Sequence, residues 1–167
     1  MPDKNLFSFH CHCFSISGTE VFRQEFILTA AIEAELKPES AIATRCKTIR
    51  ELSDIVFSNK LEEGGIQKLI DHTKDMILPG KPIEQRQLVL AFYGKLIQGQ
   101  YKDLSLLRSF FFRLIQHHNV PEDIHNRLEL LKILTDNGKD ITHFEEEIGV
   151  FMLKWIPQLL EGRIILY

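Results

Sequence analysis

The chain has 167 residues, enough for one domain of ordinary size and barely for two. Hydrophobic residues make up 44% of it and charged residues 26%, with a formal net charge of −3. This balance excludes a disordered chain and a strongly basic protein, so no nucleic acid partner is expected. The longest segment without Lys, Arg, Asp or Glu, residues 5–19, contains His, Ser and Gly and predicts no integral membrane segment. We therefore expect a soluble, cytoplasmic protein.

The cysteines are few and odd in number: Cys11, Cys13 and Cys46. Such usage does not predict a disulfide framework and fits a reducing compartment. The run His10–Cys13 resembles a metal cluster, but adjacent residues cannot surround one tetrahedral ion, and no second Cys or His pair with ligand spacing follows. We predict no metal site, and we expect residues 1–22 to form a disordered leader.

The apolar residues predict an all-α fold. Leucine (22) and isoleucine (19) far outnumber valine (5), and apolar positions recur three and four residues apart. Seven helices are predicted, at about residues 23–36, 40–58, 62–78, 83–98, 102–118, 122–135 and 141–160. Because the connections between them are short, we expect antiparallel helix hairpins.

Glycine, proline and aspartate mark several predicted helix ends. Gly64 and Gly65 are interpreted as a helix start or loop, and Pro79–Pro82 as a break between helices. Gly138 is predicted to end the sixth helix in a left-handed conformation. Asp140 is predicted to cap the start of the last helix.

Two predicted helices are apolar on more than one side, around residues 87–97 and 104–115. Such helices are usually buried between layers, although a groove for a partner helix is the alternative. Hairpins with a period near 40 residues favour an α-solenoid of the HEAT/armadillo type. The internal sequence repeat is weak, so this period alone does not distinguish a solenoid from a compact bundle.

No constellation of residues indicates catalysis. A phosphate-binding glycine loop and the common metalloprotease and hydrolase motifs are missing from the sequence. The histidines His117, His118, His125 and His143 are interpreted as surface or capping residues, and Glu145–Glu147 as a solvated helix face. Trp155 is interpreted as a core anchor. We predict no catalytic, cofactor-binding or metal-ligating residue, and the sequence assigns no partner-binding residue.

Several segments resemble one known family. The most specific are Glu122–Glu129, the sequence Leu-Thr-Asp-Asn-Gly at 134–138, and the stretch from Glu145–Glu147 to Trp155. Further similarity lies in Glu25–Ala30, Arg86–Leu90, Leu96–Gln100 and Leu107–Phe112. Over about residues 24–156 the chain resembles the N-terminal helical region of the tuberin family, the GTPase-activating subunits of the tuberous sclerosis complex.

The resemblance implies a scaffold role for residues 23–160. Proteins of this family bind hamartin through their N-terminal half. With hamartin they restrain the small GTPase Rheb, and so target-of-rapamycin signalling, and the complex can be recruited to the lysosomal surface. The family's catalytic asparagine lies in a C-terminal domain that no residue here matches, so the chain is not expected to be an enzyme. An independent helical adaptor is the alternative.

Two parts of the chain depart from the family, the leader at residues 1–22 and a tail at residues 161–167. The departure at the tail suggests a fragment, a truncated isoform or a mistranslated end. A solenoid cut within its array would expose an apolar helix face. We expect this face to include some of Phe151, Met152, Trp155 and Leu159.

Overall fold

The computed structural model describes residues 23–164. The leader expected at residues 1–22 and the last three residues of the expected tail lie outside this range. The predicted all-α class is confirmed, with seven α-helices in the described part of the chain. They are α1 (Ala30–Leu36), α2 (Ile42–Ser58), α3 (Gly65–Thr73), α4 (Ile83–Gly99), α5 (Leu107–His117), α6 (Ile124–Leu134) and α7 (Glu145–Ile164). Three 3₁₀ turns accompany them, at Lys74–Ile77, Tyr101–Asp103 and Pro121–Asp123.

The first predicted helix is wrong in its first half. The hydroxyl of Thr29 accepts a hydrogen bond from the Ile32 amide, so α1 begins only at Ala30. Before it, β1 (Glu25–Phe26) pairs in parallel with β2 (Lys60–Leu61). This short ladder places the chain beside the segment that follows α2, before α1 begins.

Gly64 lies at the predicted helix start and Gly138 has the predicted left-handed conformation, but Thr135 and not Gly138 caps α6, and the predicted cap at Asp140 is wrong. Gly64 precedes α3 with φ of 75°, and Gly138 follows α6 with φ of 86°. The carboxylate of Asp140 instead binds the guanidinium of Arg108 at 2.7 Å and the amide and hydroxyl of Thr142. Helix α7 therefore begins only at Glu145, and it runs to Ile164 with Pro157 inside it.

Helix α4 is the centre of the molecule. It packs against α2 on one side and α6 on another, and it also contacts the 3₁₀ turn that follows α3. Val89, Leu90, Phe92, Tyr93, Leu96 and Ile97 are all buried along it. The prediction that this helix is buried between layers is confirmed.

An aromatic cluster joins α7 to the rest of the core. The ring of Phe112 on α5 stacks on Phe144 with centroids 4.5 Å apart and meets Phe151 edge-on at 5.4 Å. Phe151 in turn contacts Trp155 at 4.8 Å. The burial predicted for the α5 region is confirmed for Phe112 but not for Leu106, which is 74% exposed just before the helix begins.

The helix starts reveal an internal repeat of 41 residues. Ile42, Ile83 and Ile124 are the first residues of α2, α4 and α6, and each is followed three residues later by a buried arginine. The successive spacings, 42 to 83 and 83 to 124, are equal. The repeat is hard to see in the sequence because its other positions share only apolar character. The helix starts in the structure align the three repeats and make the period visible.

The α2 and α4 helices approach most closely at Gly99. A Cβ atom there would lie 2.6 Å from the Cα of Phe57 and closer still to the carbonyl oxygen of Val56. The next residue, Gln100, uses the same contact, since its side-chain amide donates to the carbonyls of Val56 and Asn59 at 2.7 Å. Glycine at this position is therefore required by the distance between two backbones.

We predict that Gly99→Ala destabilises the protein by about 2 kcal/mol, because the backbone of α2 must move to admit the methyl group. The matched control is Gly149→Ala on α7, where a Cβ would meet no atom within 4 Å. That substitution should stabilise the helix by about 1 kcal/mol through its higher helix propensity. Urea denaturation followed by circular dichroism measures both, and equal midpoints for the two variants would contradict the close approach.

Candidate functional site

Four arginines are buried where helices end. Arg45, Arg86, Arg108 and Arg127 are each at most 6% exposed. Buried guanidinium groups are costly unless hydrogen bonds and a counter-charge satisfy them. The partners of each arginine therefore indicate whether its hydrogen-bond donors are satisfied within the protein or are left to bind another molecule.

Arg45 closes the junction between α1, α2 and the end of α3. Its Nε donates to the carbonyl of Leu36 at 3.0 Å, and one Nη donates to the carbonyl of His72 at 2.7 Å. Both terminal nitrogens also bind the carboxylate of Asp75, at 2.6 and 2.8 Å. The hydrogen bond from Arg45 holds the pKa of Asp75 below its ordinary value.

Arg86 joins α4 to the turn before α6. Its Nε donates to the carboxylate of Asp123 at 2.7 Å, and the Nε2 of His118 lies 2.7 Å from the same carboxylate oxygen. The Asp123 side chain is fully buried. Burial raises the pKa of Asp123, but the hydrogen bonds from Arg86 and His118 outweigh it and hold that pKa below its ordinary value.

Arg108 closes the connection between α6 and α7. It donates to the carboxylate of Asp140 at 2.7 Å and to the carbonyls of Leu134 and Asp140 at 3.2 and 3.0 Å. The hydroxyl of Tyr101 donates to the same carboxylate at 3.1 Å. Hydrogen bonds from Arg108, and then from Thr142, hold the pKa of Asp140 well below its ordinary value.

Arg127 differs from the other three. Its Nε donates to the carbonyl of Ile115 at 3.0 Å, and its guanidinium lies over the indole of Trp155, 4.8 Å from the ring centroid. Within the described residues no carboxylate accepts a hydrogen bond or forms an ion pair with it. Burial lowers the pKa of Arg127 from its ordinary value, and the charge of Asp123 only partly opposes this.

A pocket of about 360 Å³ lies beside this arginine. It is lined by residues of α5 and its following loop, of α6 and of α7: Gln116, His117, Asn119, Arg127, Phe151, Lys154 and Trp155. Among the described residues, this lining includes two cations and no carboxylate. The Nε1 of Trp155 is buried without a hydrogen-bond partner in the described part of the chain. We call this cavity the Arg127 pocket.

The structure separates the four predicted surface histidines. His125 and His143 are exposed, as expected. His117 lines the Arg127 pocket. His118 is the C-cap residue of α5, as the capping interpretation expects, but it is only 8% exposed and binds Asp123, so the surface interpretation is wrong. The physical reason is that the turn after α5 folds back to place His118 against the start of α6.

The other candidate residues are found largely where the sequence predicts them. Glu145–Glu147 are exposed, and Trp155 is a core anchor at 1% exposure. No group of three or more potential metal ligands occurs among residues 23–164, and the run His10–Cys13 lies outside that range. Within the same residues, no helix is both long and apolar enough to cross a bilayer.

An apolar stripe runs along the outer face of α7, as expected, but with a different membership. Phe151 and Trp155 are buried, and the side chain of Leu159 lies outside the described part of the structure. Met152 is exposed, as expected, and three further residues share its face: Leu153, Ile156 and Leu160. We call these four residues the α7 stripe; their spacing of one, three and four residues places them along one side of the helix.

Sequence reasoning missed the buried arginines. The usable signal was the spacing of Arg45, Arg86 and Arg127, each three residues after an isoleucine and 41 residues apart. Arg108 carries no such signal, because its partner Asp140 comes from a turn whose conformation the sequence did not predict. Charged residues within helices are usually solvated, so burial of these four could not be inferred from residue type.

A comparison with known protein families identifies a family that includes this chain. The family model described as "Domain of unknown function (DUF3384)" matches residues 42–165. The matched range begins with α2 and includes all the buried arginines and the α7 stripe.

We predict that Asp123→Asn destabilises the protein by about 3 kcal/mol, since it leaves the buried guanidinium of Arg86 without a counter-charge. The control is the neighbouring substitution Glu122→Gln. Glu122 is 60% exposed and lies 3.8 Å from Arg86, so its loss should cost less than about 1 kcal/mol. Thermal and urea unfolding compare the two, and similar losses would contradict the assignment of Asp123 as the principal counter-charge.

We predict that the protein loses stability in acid. The pKa values of Asp75, Asp123 and Asp140 are lowered in the folded state, so below about pH 5 the unfolded chain binds more protons than the folded one. Their contribution is fully present above their ordinary pKa of about 3.9 and is lost as the pH falls through the folded values. Urea denaturation at about pH 7, 5, 4 and 3 measures this loss. Asp140→Asn should show a shallower dependence, and a flat profile for the unchanged chain would contradict the prediction.

Proposed function

The chain belongs to the DUF3384 family. From the resemblance of residues 24–156 to the tuberin family, we propose that it is a helical scaffold and interaction segment of a tuberin-like GTPase-activating protein. In this proposal the segment binds hamartin, and the assembled complex restrains Rheb and negatively regulates target-of-rapamycin signalling in the cytoplasm. Rheb is engaged through the catalytic domain of the family and not through the helices described above. The segment itself contributes binding and no catalysis.

The packing supports the architecture that this proposal requires. Helices two apart in the chain contact each other, α2 with α4, α4 with α6 and α1 with α3, as stacked hairpins of a solenoid do. The 41-residue spacing of Ile42, Ile83 and Ile124 falls within the period of HEAT and armadillo repeats. We therefore propose an α-solenoid of this type, a fold that presents extended surfaces to partners.

The α7 stripe is the observation on which the interaction role depends. Leu153 is 74% exposed, and Ile156 and Leu160 are about half exposed. A contiguous apolar strip on a helix favours a site for another helix, which would lay its own apolar face along it. We propose a helix of hamartin as the occupant.

The charged groups support a structural and not a catalytic role. The carboxylates of Asp75, Asp123 and Asp140, all with lowered pKa values, each bind a buried arginine. Perturbed carboxylates of this kind occur in structural ion pairs as well as in active sites. Here each of the three accepts hydrogen bonds from an arginine that connects helices.

We predict that the double variant Leu153→Ser with Ile156→Ser lowers retention of this chain by immobilised full-length hamartin at least about tenfold, because it removes two of the four exposed apolar side chains of the α7 stripe. Both side chains are exposed, so the melting temperature should change little. The control is Leu106→Ser, since Leu106 is also 74% exposed but lies before α5.

Two outcomes would count against the proposal. Retention of the stripe variant equal to that of the Leu106 variant would remove α7 from the hamartin site. No retention of the unchanged, folded chain would contradict hamartin binding by this segment and would favour an independent helical adaptor with a different partner.

A further inference from the structure

The Arg127 pocket contains hydrogen-bond donors that the described residues leave unused. The Arg127 side chain is 96% buried by the rest of the fold, being 4% exposed, yet only its Nε has a partner. The Nε1 of Trp155, the residue under the guanidinium, has none. A buried donor without an acceptor is rare because it costs free energy, so a pocket that combines one with guanidinium nitrogens that no described residue pairs is suited to an acceptor from outside.

The internal repeat shows what the acceptor is at the equivalent positions. Arg45 and Arg86 occupy the same place in α2 and α4 as Arg127 does in α6, and each binds an aspartate carboxylate. The residues in register with Asp75 and Asp123 in the third repeat are Pro157 and Ile164. Neither residue type carries a carboxylate, so at these two positions the third repeat supplies no equivalent of the aspartates that satisfy the first two arginines.

We propose that the Arg127 pocket binds the carboxylate of an acidic residue that precedes the first turn of a partner's helix. The proposal rests on the interaction role proposed above and adds the chemistry of the partner. The template is within the molecule: Asp123 immediately precedes α6, and its carboxylate binds Arg86 of the preceding repeat. A guanidinium presents parallel donors that match both oxygens of such a group.

The rest of the lining fits an acidic side chain. Lys154 is exposed at the pocket and adds a second positive charge, while Gln116 and Asn119 can donate amide hydrogens. Phe151 and Trp155 provide apolar surface for the carbon atoms that join the carboxylate to its backbone. A volume of about 360 Å³ holds such a side chain together with part of the helix turn that carries it.

The test uses Trp155, the one tryptophan of the chain, as the reporter. The full chain is titrated with a capped synthetic peptide that copies residues 119–135, which contain Asp123 before a helix and no tryptophan. The matched peptide carries Asp123→Asn. We expect a saturable change in Trp155 fluorescence with the first peptide and an affinity at least about tenfold lower with the second, since a charge-assisted hydrogen bond is lost.

Variants of the chain locate the binding. Lys154→Gln removes an exposed charge from the pocket without touching the core and should weaken binding of the acidic peptide severalfold. The control, Lys47→Gln, removes an exposed charge from α2 and should leave it unchanged. Arg127→Gln should abolish binding, provided that circular dichroism shows the folded helix content of the unchanged chain.

Three results would overturn the proposal: equal affinity for the two peptides, equal binding by the Lys154 and Lys47 variants, or no fluorescence change with either peptide. Failure of the proposed function has a different signature. If hamartin does not retain the chain but the acidic peptide binds with the expected dependence on Asp123 and Lys154, the pocket assignment stands and hamartin is not the partner.

Discussion

The structure depends on how the ends of its buried helices are satisfied. The last turn of every helix leaves carbonyl oxygens without intrahelical donors, and in a stack of short helices many of these carbonyls are shielded from water. Here arginine side chains supply the donors at Leu36, Ile115 and Leu134. Glutamine does the same at Val56 and Met76. A guanidinium can do this for two helices at once, which explains why the arginines lie at junctions and not within helix faces.

The use of buried arginines as donors imposes a second requirement, because each buried cation needs a counter-charge. Aspartates placed in the turns between helices meet it at Arg45, Arg86 and Arg108. Each such pair fixes the position of one helix relative to the next, so the angle between neighbouring hairpins is set by hydrogen-bond geometry as well as by apolar packing. Close contact at Gly99 has the same effect on α2 and α4, and it leaves little freedom for the two helices to slide.

Much of the fold follows from patterns in the sequence. Periodic leucine and isoleucine predict the seven helices, Gly64 and Trp155 occupy the predicted places, and Gly138 has the predicted left-handed conformation. Helical periodicity and left-handed turns are local properties, which is why the sequence predicts them. Three features do not follow. The β1–β2 ladder joins residues 35 apart in the chain. Asp140 binds Arg108 and does not cap α7, and His118 is buried by the turn that follows α5. Each depends on a tertiary contact that no local pattern encodes. The candidate site was missed for the same reason, since it is formed by residues of three helices.

Pro157 interrupts the hydrogen bonding of α7 and divides the helix into two parts. Proline has no amide hydrogen, so the carbonyl of Leu153 loses its intrahelical donor one turn earlier, within the exposed stripe. The first half of α7 is anchored in the core by Phe151 and Trp155, whereas the turns after the proline have no comparable anchor among the side chains that the structure describes. Because the hydrogen bond to the carbonyl of Leu153 is missing, we expect the amide hydrogens before and after this point to open to solvent exchange at different free energies. A partner that covers the α7 stripe would stabilise both parts of the helix together. Its binding would then be detected as slower amide exchange beyond Pro157.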